Sequence, residues 1–202
     1  MKTSQHTRKG FVISTTRLAE NLFIFTIGDM PKSHLQHHLK EVDAGAKIVL
    51  QYGGNSCNFD WKSIASSPEG YHLPKRSIDA FESTYKEIID QILAHGCTPI
   101  IATLPALLPQ RHFDHISHGL NRGNILQWLH HDVNTLSNYH EQHNQTLKQL
   151  AQEREIRLMD ISNILIDQRS LGDGYSRDGM HPNKTGQSII NNALLATFFA
   201  EK

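Results

Sequence analysis

Runs of apolar, β-branched residues alternate along this chain with amphipathic stretches, the pattern left in a sequence by a parallel sheet flanked by helices. Leu22–Ile27, Lys47–Tyr52, Thr98–Leu104 and Ile156–Ile161 are nearly continuously apolar, as strands covered on both faces are. Phe11–Ser14 is a weaker fifth. The clearest helix carries Ile78, Phe81, Tyr85, Ile88, Ile89, Ile92 and Leu93 at three- and four-residue spacing, with Ser77 as N-cap and Gly96 as its stop. A second carries Val133, Leu136, Tyr139, His143, Leu147 and Leu150. A third runs from about Thr185 to Phe199 behind Pro182-Asn183, and a shorter one holds Leu35, Leu39 and Val42. Cys57–Arg76 and Pro105–His131 are too long for ordinary connections and are expected to be functional loops or helical insertions. Both follow the carboxyl end of a strand, the edge where open α/β sheets bind ligands.

With 202 residues the chain is read as one domain, 1–202, and 38% apolar residues suffice for a core. Twenty Lys and Arg balance twenty Asp and Glu, so the excess positive charge of a nucleic-acid binder is absent. The longest apolar run, Leu22–Ile27, is far short of the ~20 residues that span a bilayer, which excludes membrane insertion. Two cysteines, Cys57 and Cys97, exclude a disulfide framework and suit a reducing compartment. No apolar signal segment follows Met1–Gly10, so the chain is read as cytoplasmic.

Three short constellations can carry chemistry. In Asp178-Gly179-Met180-His181 the carboxylate can accept from the imidazole three residues on and fix its tautomer, as a general base requires. Taken alone, this spacing is more often a loop Asp beside a surface His. In Gly53-Gly54-Asn55-Ser56 a strand runs into glycines that let a ligand approach the backbone, and an Asn amide can donate to a developing oxyanion. An ordinary strand-ending turn uses the same residues. In Gly28-Asp29-Met30 the Gly28 N–H could join Asn55 as an oxyanion donor; a simple strand-to-helix turn is the plain alternative.

Taken in order, the three resemble the block pattern of the SGNH hydrolase superfamily, the GDSL esterases and lipases. Gly53-Gly54-Asn55 resembles its Gly-x-Asn-Asp block, and Asp178 with His181 its Asp-x-x-His block before the last helix. Cys57-Asn58-Phe59-Asp60-Trp61, Thr103-Leu104-Pro105 and Asp178 through Gly186 look like a bacterial subgroup, so the likeness runs from about Asn21 to the C-terminus. The resemblance implies a three-layer α/β/α, flavodoxin-like fold with a parallel sheet and a small-molecule ester substrate, and no cofactor. It makes His181 the base, Asp178 its orienting acid, and Asn55 with Gly28 the oxyanion hole.

The family's nucleophile is the Ser of a Gly-Asp-Ser block, and this chain has no such tripeptide. Equating Gly28-Asp29-Met30 with that block leaves only 22 residues between Met30 and Gly53, too few for the second strand and its crossovers. Equating Gly28 with the second-block glycine suits the spacing, and the first block should then lie before residue 20. Ser14, at the end of Phe11-Val12-Ile13, is the nearby candidate and a weak one, because only seven residues separate it from the next strand and a parallel crossover needs a dozen or more. The first βα unit is therefore expected to be missing, with 1–20 an irregular remnant. The exposed edges of an incomplete sheet predict self-association. Ser56 stands where the family has Asp.

Cys57 is a conceivable substitute nucleophile, yet no feature lowers its pKa, so an inert thiol is expected. His34, His37 and His38, and His112, His115 and His118, invite a metal reading, but neither group sits in a ligand motif and solvated histidines explain them. No metal is expected. Two function classes stay open, an ester hydrolase and a non-catalytic relative binding a ligand or partner in the same cleft. A different flavodoxin-like binder would need a phosphate loop, which only Ser14-Thr15-Thr16 approaches.

Overall fold

The computed structural model describes residues 3–8, 11–19, 21–27, 33–166 and 171–199. Six strands follow in chain order across one sheet: β1 (Thr3–Arg8), β2 (Phe11–Ala19), β3 (Leu22–Ile27), β4 (Lys47–Tyr52), β5 (Thr98–Ala102) and β6 (Leu158–Met159). Strands β3 to β6 are parallel. Helix α1 (Ser33–Leu39) joins β3 to β4, while α2 (Trp61–Ser66) and α3 (Ile78–Ala94) join β4 to β5. Then α4 (Pro109–Ile116), α5 (Arg122–Trp128) and α6 (Thr135–Glu153) lead to β6, and α7 (Ile161–Ile166) and α8 (Lys184–Phe199) close the chain.

The two-residue period of β4 sorts its side chains between two cores. Ile48, Leu50 and Tyr52 face one side, where they meet Leu35 and Leu39 of α1, Phe81, Tyr85 and Ile89 of α3, and Leu147 of α6. Val49 faces the other with Ile100 and Met159, against Leu165 of α7 and Ile190 and Leu194 of α8. Helices thus cover both faces, and the expected three-layer α/β/α class is what forms.

The N-terminal segment departs from expectation. The weaker fifth strand expected at Phe11–Ser14 forms and extends to Ala19, and Thr3–Arg8, expected to be irregular, pairs with it, so that the two add an antiparallel pair beside β3. Seven residues are too few for a parallel crossover from Ser14, and the chain instead turns back on itself, pairing Ser14 with Thr26. The last predicted strand shrinks to Leu158–Met159, because Asp160 takes the N–H of Asn163 at 3.3 Å and starts α7. Both long connections hold the expected helical insertions. Their apolar residues Phe59, Ile64, Phe113, Ile116, Ile125, Leu129 and Leu136 form a third core beyond the carboxyl end of the parallel strands.

Candidate functional site

Asn183 starts the site by capping α8, its side-chain oxygen accepting from the N–H groups of Thr185 (2.9 Å) and Gly186 (3.1 Å). Its amide donates back to the carbonyls of Asp173 (2.6 Å) and Tyr175 (3.0 Å), and Tyr175 bridges to Pro182, so the intervening loop is closed at its base. Within that loop Asp178 Oδ1 accepts from the N–H groups of Met180 (2.9 Å) and His181 (3.0 Å) and from the Ser176 hydroxyl (3.1 Å). Asp178 Oδ2 lies 2.7 Å from His181 Nδ1. Burial works to raise the Asp178 carboxyl, but the His181 and Met180 N–H groups and the His181 imidazole outweigh it and hold it well below the usual carboxylate range. An ionised carboxylate only accepts, so Nδ1 carries the hydrogen, and in the neutral ring the lone pair is then on Nε2. Asp178 is three-quarters covered and His181 is 59% exposed, so the carboxylate is anchored while the imidazole faces outward.

A second element braces this loop from behind. Gly179 turns at φ +68°, its carbonyl accepting from Leu108 N–H at 2.9 Å, and His112 Nδ1 donates to the Asp178 carbonyl at 2.9 Å. His112 is buried, as is His38, so two histidines expected to be solvated are not; His115 and His118 are exposed as expected. Nothing local in the sequence marks His112, because the carbonyl it grips lies 66 positions away.

The Gly53-Gly54-Asn55 turn faces the same loop. A Cβ placed on Gly54 would lie 3.8 Å from Met180 Sδ, which brings this strand end beside the Asp178–His181 segment. Gly53 has φ +125° and packs on Phe81, where a Cβ would come within 2.5 Å of the ring, so only glycine fits. Asn55 is exposed, whereas Ser56 is buried with a hydroxyl that has no hydrogen-bond partner. The Cys57 thiol donates to the Gly54 carbonyl at 3.1 Å, and burial pushes it up to about 12, which suits an inert thiol. Gly28 and Met30 lie outside the described residues; β3 ends at Ile27, paired with Tyr52. Ser14 pairs with Thr26, and Thr26 with Gln51, so the backbone of Ser14 reaches the carboxyl edge of the parallel strands.

Beside this edge lies a small cleft lined by Cys57, Phe59, Trp61, Leu136, Tyr139 and Met180, together with His112 and His140. Burial drives His140 down to about 3, and the nearby His143, His112 and His181 act in the same direction. Burial likewise lowers His112 against the opposing Asp178 carbonyl, and His143 against that of Tyr139. All three rings fold neutral. The sign of the linkage follows: below the ordinary 6.5 the unfolded chain binds protons that the folded chain refuses, so stability falls as pH is lowered. Asp178 leaves this window untouched, since its contribution is lost only below the ordinary carboxylate value of ~3.9. The urea midpoint is expected to fall from pH 7.5 to 5, each extra proton on the unfolded chain contributing about 1.4 kcal/mol per pH unit. His140→Gln should flatten the fall, and a midpoint level with pH in the wild type would contradict the neutral buried rings.

Among the described residues, no group of three or more His, Cys, Asp or Glu could hold a metal ion, and no helix is long and apolar enough to cross a membrane. The fold is similar to that of the Enterococcus faecalis lipase/acylhydrolase, with a TM-score of 0.52 and 10% identity over 81% of this chain and 65% of that one. It is also similar to the Bacillus subtilis protein YxiM, with a TM-score of 0.51 and 22% identity over 83% of this chain and 40% of that one. The chain thus spans less than two thirds of either length. No curated protein matches the sequence. The family model of GDSL-like lipases and acylhydrolases matches residues 15–194, which include Asn55, Asp178 and His181. With that match running through nearly the whole chain and the α/β/α fold beneath it, this protein belongs to the GDSL-like lipase/acylhydrolase family.

Proposed function

We propose that this protein hydrolyses a carboxylic ester of a small molecule, with His181 as general base, Asp178 as the group that orients it, and Asn55 and Gly28 as oxyanion donors. The observation that carries the reading is the 2.7 Å contact of His181 Nδ1 with a carboxylate anchored by two backbone N–H groups, in an otherwise exposed imidazole. Nε2 takes the proton of the attacking O–H as that oxygen bonds to the ester carbon, and the carbonyl electron pair moves onto its oxygen. The Asn55 amide and the Gly28 N–H stabilise that charge. Collapse breaks the bond to the leaving alkoxide, which takes the proton back from Nε2. If the attacking oxygen is a serine's, water then repeats the cycle on the acyl-enzyme.

The hydrogen bonds among the described residues place no serine hydroxyl on His181 Nε2; Ser176 gives its own to Asp178 and to the His181 carbonyl. The lack of a Gly-Asp-Ser tripeptide in the sequence favours a second reading, a relative that binds an ester without cleaving it. Labelling with a fluorophosphonate, read by intact mass and peptide mapping alongside an ester-hydrolysis assay, separates the possibilities. One adduct that is lost in His181→Ala would identify a serine hydrolase and its nucleophile, with Ser14 the serine whose backbone lies at this edge. Hydrolysis that needs His181 but gives no adduct would assign the attack to water. Neither adduct nor hydrolysis would sink the enzyme reading.

A further inference from the structure

We infer that His112 is a positioning residue for the proposed base: by holding the Asp178 carbonyl from the first turn of α4, it fixes where the Asp178 carboxylate meets His181, and so the rate at which His181 can work. The inference rests on the ester-hydrolase reading for its chemistry and on the α4 contacts for its geometry. The carboxylate and the carbonyl belong to one residue, so a shift at one end of Asp178 is carried to the other. At the carboxylate end Oδ1 accepts from the N–H groups of Met180 and His181, and Oδ2 lies 2.7 Å from His181 Nδ1. At the carbonyl end His112 Nδ1 donates at 2.9 Å. The following carbonyl, that of Gly179, takes the Leu108 N–H at 2.9 Å, and Arg111 reaches the Tyr175 carbonyl at 3.5 Å. Two successive peptide planes of the loop are thus tied to the start of one helix.

The chemistry of a histidine suits this place. Burial lowers the His112 imidazole, so it folds neutral with a single N–H, and that N–H sits on Nδ1 because the carbonyl it meets only accepts. A buried apolar side chain would fill the same space but leave the Asp178 carbonyl without its donor. A permanent cation would keep the bond yet oppose the mechanism. The His112 and His181 rings are close enough to act on each other, so a charge on one disfavours the proton that the other takes up. A neutral donor holds the loop without that penalty. The tie is also tight: a Cβ on Gly179 would fall 2.7 Å from His112 N, so the loop and the helix backbone are already in contact.

Three variants separate the donor from the ring. His112→Asn offers an amide N–H near the position of Nδ1, His112→Gln carries the same amide one bond further out, and His112→Phe keeps a ring with no donor. Hydrolysis of p-nitrophenyl acetate is expected to lose up to about a hundredfold in kcat in the Phe and Gln variants, with KM nearly unchanged, and to stay near wild type in His112→Asn. Amide hydrogen exchange on the full chain reads the loop with no substrate present. The Met180 and His181 N–H groups, held by Asp178 Oδ1, should exchange about tenfold faster in the Phe and Gln variants and as in wild type in His112→Asn. Ile88 and Ile89 of α3, buried in the main core, should keep their protection throughout. If His112→Phe does not fold, the Asn and Gln variants carry the comparison. An active wild type whose kcat survives loss of the donor, or falls equally in the Asn and Gln variants, would overturn the positioning role and leave the hydrolase reading standing. A wild type that cleaves no ester would remove the hydrolase reading, and exchange at Met180 and His181 would still decide whether His112 positions the pair: rates unmoved in the Gln and Phe variants would overturn it.

Discussion

His181→Ala is expected to lower the rate of ester hydrolysis by about 10²–10⁴-fold, the range associated with a positioned general base, with little change in stability because the imidazole is 59% exposed. The companion variant Asp178→Asn tests the orienting role. An amide at this position can still offer one oxygen to the N–H groups of Met180 and His181, so the loop keeps its shape. Its NH2 would then face His181 Nδ1 and reverse the tautomer, placing the hydrogen on Nε2, where the base needs a lone pair. The expected loss is about 10³–10⁴-fold in kcat, with KM nearly unchanged. Steady-state hydrolysis of p-nitrophenyl acetate checks both. A wild-type rate that survives either substitution would remove the Asp178–His181 pair from the chemistry.

Gly179→Ala is expected to damage the site strongly. The residue sits at φ +68°, where an L side chain costs about 1–2 kcal/mol. A Cβ there would also come within 2.7 Å of His112 N, 2.9 Å of Leu108 O and 2.9 Å of Arg111 Cβ, two of them backbone atoms that cannot swing away. Overpacking of this kind adds about 1–3 kcal/mol, so a total near 2–5 kcal/mol is expected from urea denaturation. Gly119→Ala supplies the comparison. It has φ +73° with nothing within 4 Å of the added carbon, and should show the backbone cost alone. Equal losses in the two variants would mean that the Asp178 turn does not press on α4. The same displacement should lower ester hydrolysis about a hundredfold, because a shift of ~1 Å in a reacting group has that effect.

Both results depend on how neighbours in the sequence differ from neighbours in space. Ile48, Val49 and Leu50 were legible as strand because a buried parallel strand must be apolar on both sides. Ser77 and Gly96 were legible as the ends of α3 because a cap is a local bond, here Ser77 to the Ala80 N–H. The His181–Asp178 contact was legible for the same reason, being three residues long with a glycine to make the turn. Ile156–Ile161 read as a full strand, yet only two residues pair, since Asp160 offered α7 a cap that competed with the ladder.

His112 shows the opposite case. In the sequence it is one of three loop histidines with a metal-like spacing; in the fold it is a neutral brace for the Asp178 carbonyl. The aromatic cleft was likewise hidden, because Phe59, Trp61 and Tyr139 come from two connections that each read as irregular or merely amphipathic. Residue order alone made the α/β class, the ends of α3 and α8 and the Asp178–His181 pair legible, because all of them follow from periodicity or from bonds a few residues long. What stands behind that pair and beside it could not be read locally. A brace from α4 and an uncharged cleft roofed by α6 exist through contacts between distant segments, and their hydrogen bonds and desolvation have no counterpart in local order.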